Sequence, residues 1–286
     1  MEDEEIPFYG DGHEGDLPPE RVDFDALEPD YFGPTWLRDP ETGKFVLPEH
    51  TLGWDAIGWA EEWLLDPNNP ERPWQFTREQ ARFVLWWYAI DRRGKWLYRR
   101  GVLQRMKGWG KDPLLAVISL VELLGPCRFD GWDEEGRPIA TDEKAAWVQI
   151  SAVSKEQTDN TMTVFPQIIS DRLKSQYRME VLKELIYAEG GKKRLQALTS
   201  NYRTLEGKRP TFMLLNETHH WVEGNGGIKM YETALGNVTK SPGGRARFLA
   251  ITNAYLPGED SVAEKMRMAY EDILEGRSPD MGFLYD

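Results

Sequence analysis

A short apolar strand, Val102-Leu103-Gln104, runs straight into the loop Arg105-Met106-Lys107-Gly108-Trp109-Gly110-Lys111-Asp112 and then into the apolar run Pro113–Gly125. The run predicts a buried helix: Pro113 falls in the first turn, where its missing N–H is not needed, and Gly125 provides the stop. Such a loop turns successive backbone N–H groups inward and sets a helix N-terminus against a phosphate, with Lys111 in reach of the terminal phosphates of a nucleotide. The match to G-x-x-x-x-G-K-[ST] is incomplete, because Arg105 takes the first glycine position and Asp112 the hydroxyl position. On this segment alone, a plain glycine turn between strand and helix fits equally well.

A second segment shifts the balance. Thr211-Phe212-Met213-Leu214-Leu215-Asn216-Glu217 reads as a buried strand that delivers Asn216 and Glu217 at its C-terminal end, where α/β sheets put their ligands. Glu217 is then the candidate to polarise a water that attacks a γ-phosphate. In a regular site the loop hydroxyl and a strand aspartate supply oxygens near Mg²⁺. Here the loop offers the Asp112 carboxylate and the strand the Asn216 amide oxygen, both hard ligands, as though one carboxylate had changed sides. Asp112 as a simple helix cap is the alternative.

Two further segments fit a nucleotide site. Gln80, within Trp74-Gln75-Phe76-Thr77-Arg78-Glu79-Gln80, carries an amide that can both donate and accept, as reading an adenine edge requires, with an aromatic side chain upstream to pack on the base. The same residues also suit a helix N-cap and first turn. The strand Phe248–Thr252 ends in Thr252-Asn253, small polar groups suited to sensing a terminal phosphate and equally common at an ordinary strand exit.

Elsewhere, Trp54, Ile57, Gly58, Glu61 and Leu65 have helical spacing, and Asp66-Pro67-Asn68-Asn69-Pro70 is a stop signal. Thr77 opens a helix with Phe83, Trp87 and Ile90 on one face. The stretch after Arg93-Gly94 predicts a strand pair ending at Gln104, and 128–144 a polar hairpin or loop. Trp147–Ala152, Leu195–Thr199 and Phe212–Leu215 read as strands, and Ser154–Leu185 carries helical periodicity that includes Met179, Leu182, Leu185 and Ile186. Strands alternating with helices predict an α/β protein with a mainly parallel sheet flanked by helices.

The net charge of −13 argues against a polyanionic partner until its distribution is considered. Residues 1–50 hold fifteen Asp or Glu against Arg21, Arg38 and Lys44, so the remaining body is almost neutral and carries a basic cluster between Arg92 and Lys111. Local polyanion binding therefore stays open. The acidic stretch predicts an extended N-terminal arm, anchored by Trp36, Leu37, Phe45 and Val46, and the expected division is an arm with one helix over 1–70 and a core domain over 71–286. Cys127 is the only cysteine and there are four histidines, so neither an internal disulfide nor a structural zinc site is expected. His219-His220 lack the spacing of a helical metal pair. The start MEDEE lacks the features of a signal peptide, no apolar run approaches the roughly 20 residues of a membrane span, and a cytosolic protein without membrane contact is expected.

Taken together, Gln80, Arg105–Asp112, Asn216-Glu217 and Thr252-Asn253 resemble, in order, the adenine motif, deviant Walker A loop, Walker B strand and coupling motif of the ATPase domain of tailed-phage terminase large subunits. Ser200-Asn201 and Leu205-Glu206-Gly207 resemble the loop before the Walker B strand, and the closing Gly282–Asp286 the start of a linker. The resemblance spans Trp74 to Asp286. It implies an ASCE/RecA-like P-loop NTPase fold, ATP and Mg²⁺ as ligands, and hydrolysis that drives double-stranded DNA into a procapsid. It implies a phosphate-binding loop of Arg105, Met106, Lys107, Gly108, Trp109, Gly110, Lys111 and Asp112, with catalytic roles for Glu217, Lys111 and Arg105. Magnesium would lie at Asp112 and Asn216, the base at Gln80, and coupling at Thr252 and Asn253. The implied partners are a portal protein, a small terminase subunit and other copies in a ring on the portal, with a monomer in isolation, in the host cytoplasm. A neighbouring copy would supply an arginine finger, for which Arg203, Arg245 and Arg247 are candidates. The family's nuclease domain is not expected in this chain. Two other readings remain: a fragment of a two-lobed helicase, which needs a second lobe, and a nucleotide-binding scaffold without hydrolysis, against which the retention of Lys111 and Glu217 speaks.

Overall fold

The computed structural model describes residues 31–199 and 209–286. Most of the predicted acidic arm, the loop segments Ser200-Asn201 and Leu205-Glu206-Gly207, and the finger candidate Arg203 lie outside the described residues. The unit Phe32–Asp286 carries every element that follows.

Helix α1 (Gly53–Trp63) is followed by a small hairpin, β1 (Leu65–Asp66) and β2 (Asn69–Pro73), and by α2 (Arg78–Trp87). The start of α2 is fixed by a reciprocal capping box: Gln80 N donates to Thr77 Oγ1 at 3.2 Å, and Thr77 N donates to Gln80 Oε1 at 3.0 Å. Strand β3 (Arg100–Gln104) leads through the glycine loop to α3 (Lys111–Leu124), then to the hairpin β4 (Pro126–Trp132) and β5 (Pro138–Asp142) that fills the predicted polar insertion. Strand β6 (Trp147–Ala152), helices α4 (Lys155–Ile168) and α5 (Asp171–Gln176), and strands β7 (Glu180–Val181), β8 (Leu185–Ala188) and β9 (Lys193–Thr199) follow. The chain ends with β10 (Phe212–Asn216), α6 (Gly227–Lys240), β11 (Arg247–Thr252), α7 (Val262–Leu274) and β12 (Phe283–Tyr285).

Eight strands form one sheet in the order β12-β3-β11-β10-β6-β9-β8-β7. The first six are mutually parallel, and the antiparallel β8 and β7 finish one edge. One face of the sheet packs against α1 to α5 through Leu103, Val148, Ile150, Phe212, Leu214 and Ile251. The other packs against α6 and α7 through Val102, Met213, Leu215, Phe248 and Ala250. Central strands buried on both faces are apolar throughout, which is why β10 and β11 read as unbroken hydrophobic runs.

Three expectations are corrected. Residues 93–104 contain one strand, β3, not a pair: the turn at Asp91–Lys95 leaves only an isolated Ile90–Trp96 bridge, and Arg99 N already pairs with Gly282 O at 3.1 Å beside β12. The helical spacing of Met179, Leu182, Leu185 and Ile186 belongs to the hairpin of β7 and β8, which turns at Lys183-Glu184 with Leu182 N bonded to Leu185 O at 2.8 Å. In this hairpin Ile186 and Ala188 are buried by period-two alternation, and Leu182 is exposed. Among the arm anchors, Phe45 lies under Arg38 and Arg82 and Val46 O accepts from Trp86 Nε1 at 3.2 Å, but Leu37 is exposed.

An ion network spans the core at the amino ends of the strands. Arg247, fully buried, lies 3.8 Å from the Trp87 ring centroid and 4.0 Å from that of Trp96, donates to Trp87 O and faces Glu122. Burial pushes its pKa down to about 10, against the pull of the Glu122 carboxylate. Glu122 also binds Arg128 at 2.9 Å, which binds Glu143 at 3.0 Å. Breaking a buried pair strands its partners, so Glu122→Ala is expected to cost about 3–5 kcal/mol in denaturant unfolding. A loss below about 1 kcal/mol, the range of exposed pairs, would contradict this account.

Candidate functional site

Because the central strands are parallel, β3, β6, β10, β11 and β12 all end on one edge. Register places Thr252 beside Gln104 and Ile251 beside Asn216, so the residues that follow these strands gather there. The glycine loop is built on Gly108 (φ 86°) and Gly110 (φ 93°), left-handed conformations in which a side chain is strained. Gly110 stands immediately before α3, and Lys111 is the first residue of that helix.

Lys111 Nζ donates to Arg105 O at 2.9 Å, to Met106 O at 2.8 Å and to Asn253 Oδ1 at 2.6 Å. Burial lowers the pKa of its ammonium, the Asp112 and Glu217 carboxylates raise it, and Arg105 lowers it further. Lys111, the first residue of α3, and Glu217, directly after β10, stand 106 positions apart in sequence yet at the same edge of the sheet, and the Glu217 carboxylate adds to the pull on the ammonium. Asp112 keeps solvent exposure as a residue, yet burial of its carboxyl within the loop raises the pKa, opposed by Lys111.

Glu217 adopts a left-handed conformation (φ 54°, ψ 51°), unusual for a residue with a side chain and of the kind that clusters at functional sites. The turn is held from both sides: His220 N donates to Glu217 O at 2.9 Å, and the buried Trp221 donates from Nε1 to Asn216 O at 2.9 Å. Asn216 is buried and donates from Nδ2 to Thr161 Oγ1 of α4 at 2.9 Å, while its Oδ1 has no partner among the described residues. A buried amide oxygen without a donor is a suitable hard ligand for a cation.

Thr252 and Asn253 meet His219. Thr252 Oγ1 is 3.2 Å from His219 Nδ1, and Asn253 Nδ2 is 3.4 Å from His219 Nε2. Burial, with smaller contributions from His220 and Lys111, pushes the His219 pKa down to about 4, so the ring is neutral at ordinary pH.

Gln80 is buried, and its amide nitrogen faces Gly110, where any added Cβ would lie 3.5 Å away. Both residues line a cleft of about 560 Å³ together with Asp66, Asn68, Arg72, Trp74 and Pro113. Helix capping and a cleft-facing amide thus coexist in Gln80, because its oxygen serves Thr77 while its nitrogen is turned the other way.

Arg105 is held. Its Nε donates to Glu79 at 2.7 Å, its Nη1 to Gln104 O at 2.8 Å and its Nη2 to Asp286, and its guanidinium lies 5.4 Å from the Trp36 ring centroid and 5.2 Å from that of Trp109. Asp286 in turn accepts from Thr35, and burial raises its carboxyl pKa against the pull of both partners. Met106, Lys107 and Gly108 are exposed on the outside of the loop. Of the finger candidates, Arg247 is enclosed in the core, and Arg245 is exposed at the opposite, amino edge of the sheet, paired with Glu143 at 2.5 Å.

The sequence reading missed His219, Glu79 and Asp286 as members of the site. No spacing signals them, since each acts through a partner brought close only by the tertiary fold.

No protein-family profile matches the chain. It is 40% identical over 283 residues to the gene 13 protein of Mycobacterium phage L5, and 40% identical over 285 residues to that of Mycobacterium phage D29; each match covers 90% of this chain and 47% of the relative. The chain thus spans about half the length of these relatives. The crystal structure of the HK97 bacteriophage large terminase superposes with a TM-score of 0.59 at 17% identity, over 82% of this chain and 43% of that one. The chain shares its fold with the matched part of that structure. Within this fold the edge that collects Lys111, Glu217 and Asn253 is the carboxyl edge of the parallel strands, where open α/β sheets bind ligands.

The depressed His219 pKa fixes the sign of a pH effect. The unfolded chain binds a proton near 6.5 that the folded protein refuses until about 4, so stability falls as pH drops through that window. His219→Gln is expected to flatten that part of the pH dependence of thermal unfolding, and an unchanged profile would contradict the assignment.

Proposed function

We propose that this chain is the ATP-hydrolysing motor portion of a tailed-phage large terminase, a P-loop NTPase of the ASCE/RecA-like kind that drives double-stranded DNA into a procapsid. The observation that carries the reading is the placement of Lys111 and Glu217 on one sheet edge, beside a cleft lined by Gln80 and Gly110.

The base enters the cleft, where Gln80 Nε2 donates to the purine edge and Trp74 and Pro113 supply apolar wall. The triphosphate lies along the glycine loop at the N-terminus of α3, where unpaired backbone N–H groups and the helix dipole favour an anion. Lys111, now spent on two loop carbonyls and Asn253, exchanges those acceptors for phosphate oxygens. Its lowered pKa reflects desolvation that phosphate charge offsets. Glu217 orients and polarises the attacking water, from a left-handed backbone of the kind that clusters at functional sites. Asn216 Oδ1, left without a donor, and the Asp112 carboxylate are the residues that fit Mg²⁺, which when bound neutralises charge on the phosphate oxygens. Thr252 and Asn253 couple phosphate occupancy to the chain after β11. Arg105 contributes charge to the site when it leaves Glu79 and Asp286.

On the same reading residues 71–286 are the motor domain, and the acidic segment 1–70 joins it through α1. Portal protein, small terminase subunit and further copies in a ring on the portal are the partners, the isolated chain is a monomer, and the work is done in the host cytoplasm. No helix among the described residues is long and apolar enough to cross a membrane.

The test is steady-state ATP hydrolysis with Mg²⁺, with and without double-stranded DNA, together with binding of a fluorescent ATP analogue. Glu217→Gln is expected to lower kcat by about 10²–10⁴-fold with binding retained, the range for removal of a general base. Lys111→Ala is expected to weaken binding itself. A wild-type rate no higher than that of Glu217→Gln favours a nucleotide-binding scaffold instead.

A further inference from the structure

We infer that the amino edge of the sheet holds the phosphate backbone of duplex DNA, in two clefts that flank Arg245. The inference rests on the proposed packaging function and places the DNA at the opposite ends of the strands from the nucleotide.

Three neighbouring strands are each entered by cations and left by a residue of the candidate site. Arg99 and Arg100 stand at the entry of β3 and Lys111 beyond its exit. Arg209 precedes β10 and Glu217 follows it, while Lys240 and Arg245 precede β11 and Asn253 follows it. With five or six residues each, at about 3.3 Å per residue, these strands hold the two edges roughly 17–20 Å apart.

One cleft at the amino edge, of about 490 Å³, is lined by Arg209, Lys240, Asn237 and Ser241. A second, of about 730 Å³, is lined by Lys95, Arg99, Lys144, Gly243 and Gly244, and the two share Arg245 and Glu143. Seven cations and three carboxylates line the pair, a local excess of positive charge in a chain whose net charge is −13. Two of the carboxylates are already engaged: Glu143 binds Arg128 at 3.0 Å and Arg245 at 2.5 Å, and Asp142 binds Lys144 at 2.6 Å. Lys95, Arg99, Arg209 and Lys240 have no ion-pair partner among the described residues. Arg99 is half-buried and gives Nη2 to Val238 O, and burial together with Arg100 lowers its pKa, so its charge lacks a local counterion. The Asn237 amide nitrogen is buried without an acceptor among the described residues.

The layout of these groups selects the ligand. A single small anion would draw cations to one point, whereas cations spread over two clefts suit a backbone that repeats its charge. The cleft at Arg209 has no aromatic side chain among its described lining residues. In the other, Trp96 lies against the Arg247 guanidinium, 4.0 Å from its ring centroid, and Phe129 against Trp132, with centroids 5.2 Å apart. No free ring is offered for stacking unpaired bases, as single-strand sites provide, so contact is with phosphates, which position a duplex without reading its sequence.

The test is equilibrium binding of a fluorescent DNA duplex to the full chain, without nucleotide, over a range of salt concentrations. Lys95→Gln/Arg209→Gln/Lys240→Gln removes three exposed cations and no ion pair among the described residues, so the fold is retained. This variant is expected to bind at least about tenfold more weakly, with the slope of log K against log salt reduced by about one for each cation removed. Lys155→Gln/Lys183→Gln/Lys265→Gln makes the same change in net charge after β6, at the turn between β7 and β8, and in the first turns of α7, and should stay within about threefold of wild type. Hydrolysis of ATP without DNA should be alike in wild type and both variants. An amino-edge variant that binds the duplex as tightly as wild type, a control variant that loses as much, or a wild type that binds no duplex overturns the inference, and DNA-independent ATP hydrolysis then still supports the ATPase reading. A wild type that binds the duplex through these residues but hydrolyses no ATP overturns the ATPase reading and leaves the DNA site standing.

Discussion

The Lys111 ammonium joins elements that the chain separates widely, and most of the site is arranged around it. At the head of α3 it bonds to two carbonyls of its own loop and to Asn253 beyond β11, while the carboxylate of Glu217 beyond β10 acts on it through space. This convergence is possible only because β3, β11 and β10 are adjacent and parallel, so that three separate strand ends lie side by side. The parallel sheet in turn requires helical crossovers and burial on both faces, which the apolar runs of α3, β10 and β11 provide.

Around this centre, other groups are held by partners from distant parts of the chain. Arg105 is tied to Glu79 and Asp286 between two tryptophan rings, and Asp286 itself is fixed by Thr35 and by the pairing of β12 with β3. Segments near residues 35, 79, 105 and 286 therefore share one small ion cluster at the start of the glycine loop. The Arg247–Glu122–Arg128 network occupies the other end of the strands. There each buried charge lies against one of opposite sign.

Much of the fold was legible in the sequence, for a physical reason. Central parallel strands must be apolar on both faces and α3 is buried on nearly every side, so β10, β11 and α3 each left a continuous hydrophobic signature. Edge elements did not: β7 and β8 are half exposed, and their apolar residues happen to fall at helical intervals. Lys111, Glu217, Gln80 and Asn253 were identifiable because they stand at fixed distances from strand or helix signals. His219, Glu79 and Asp286 were not, since a hydrogen bond across 33, 26 or 181 positions leaves no local pattern.

The claim on which the account depends is that Lys111 and Glu217 address the same terminal phosphate. The most direct measurement is a crystal structure of the Glu217→Gln variant with ATP and Mg²⁺. The account predicts Lys111 Nζ within hydrogen-bond distance of the γ-phosphate, released from Asn253, with residue 217 facing that phosphate across one water and the base in the cleft beside Gln80. A nucleotide bound elsewhere, or one at the loop with Lys111 still bonded to Asn253 and residue 217 turned away, would contradict it.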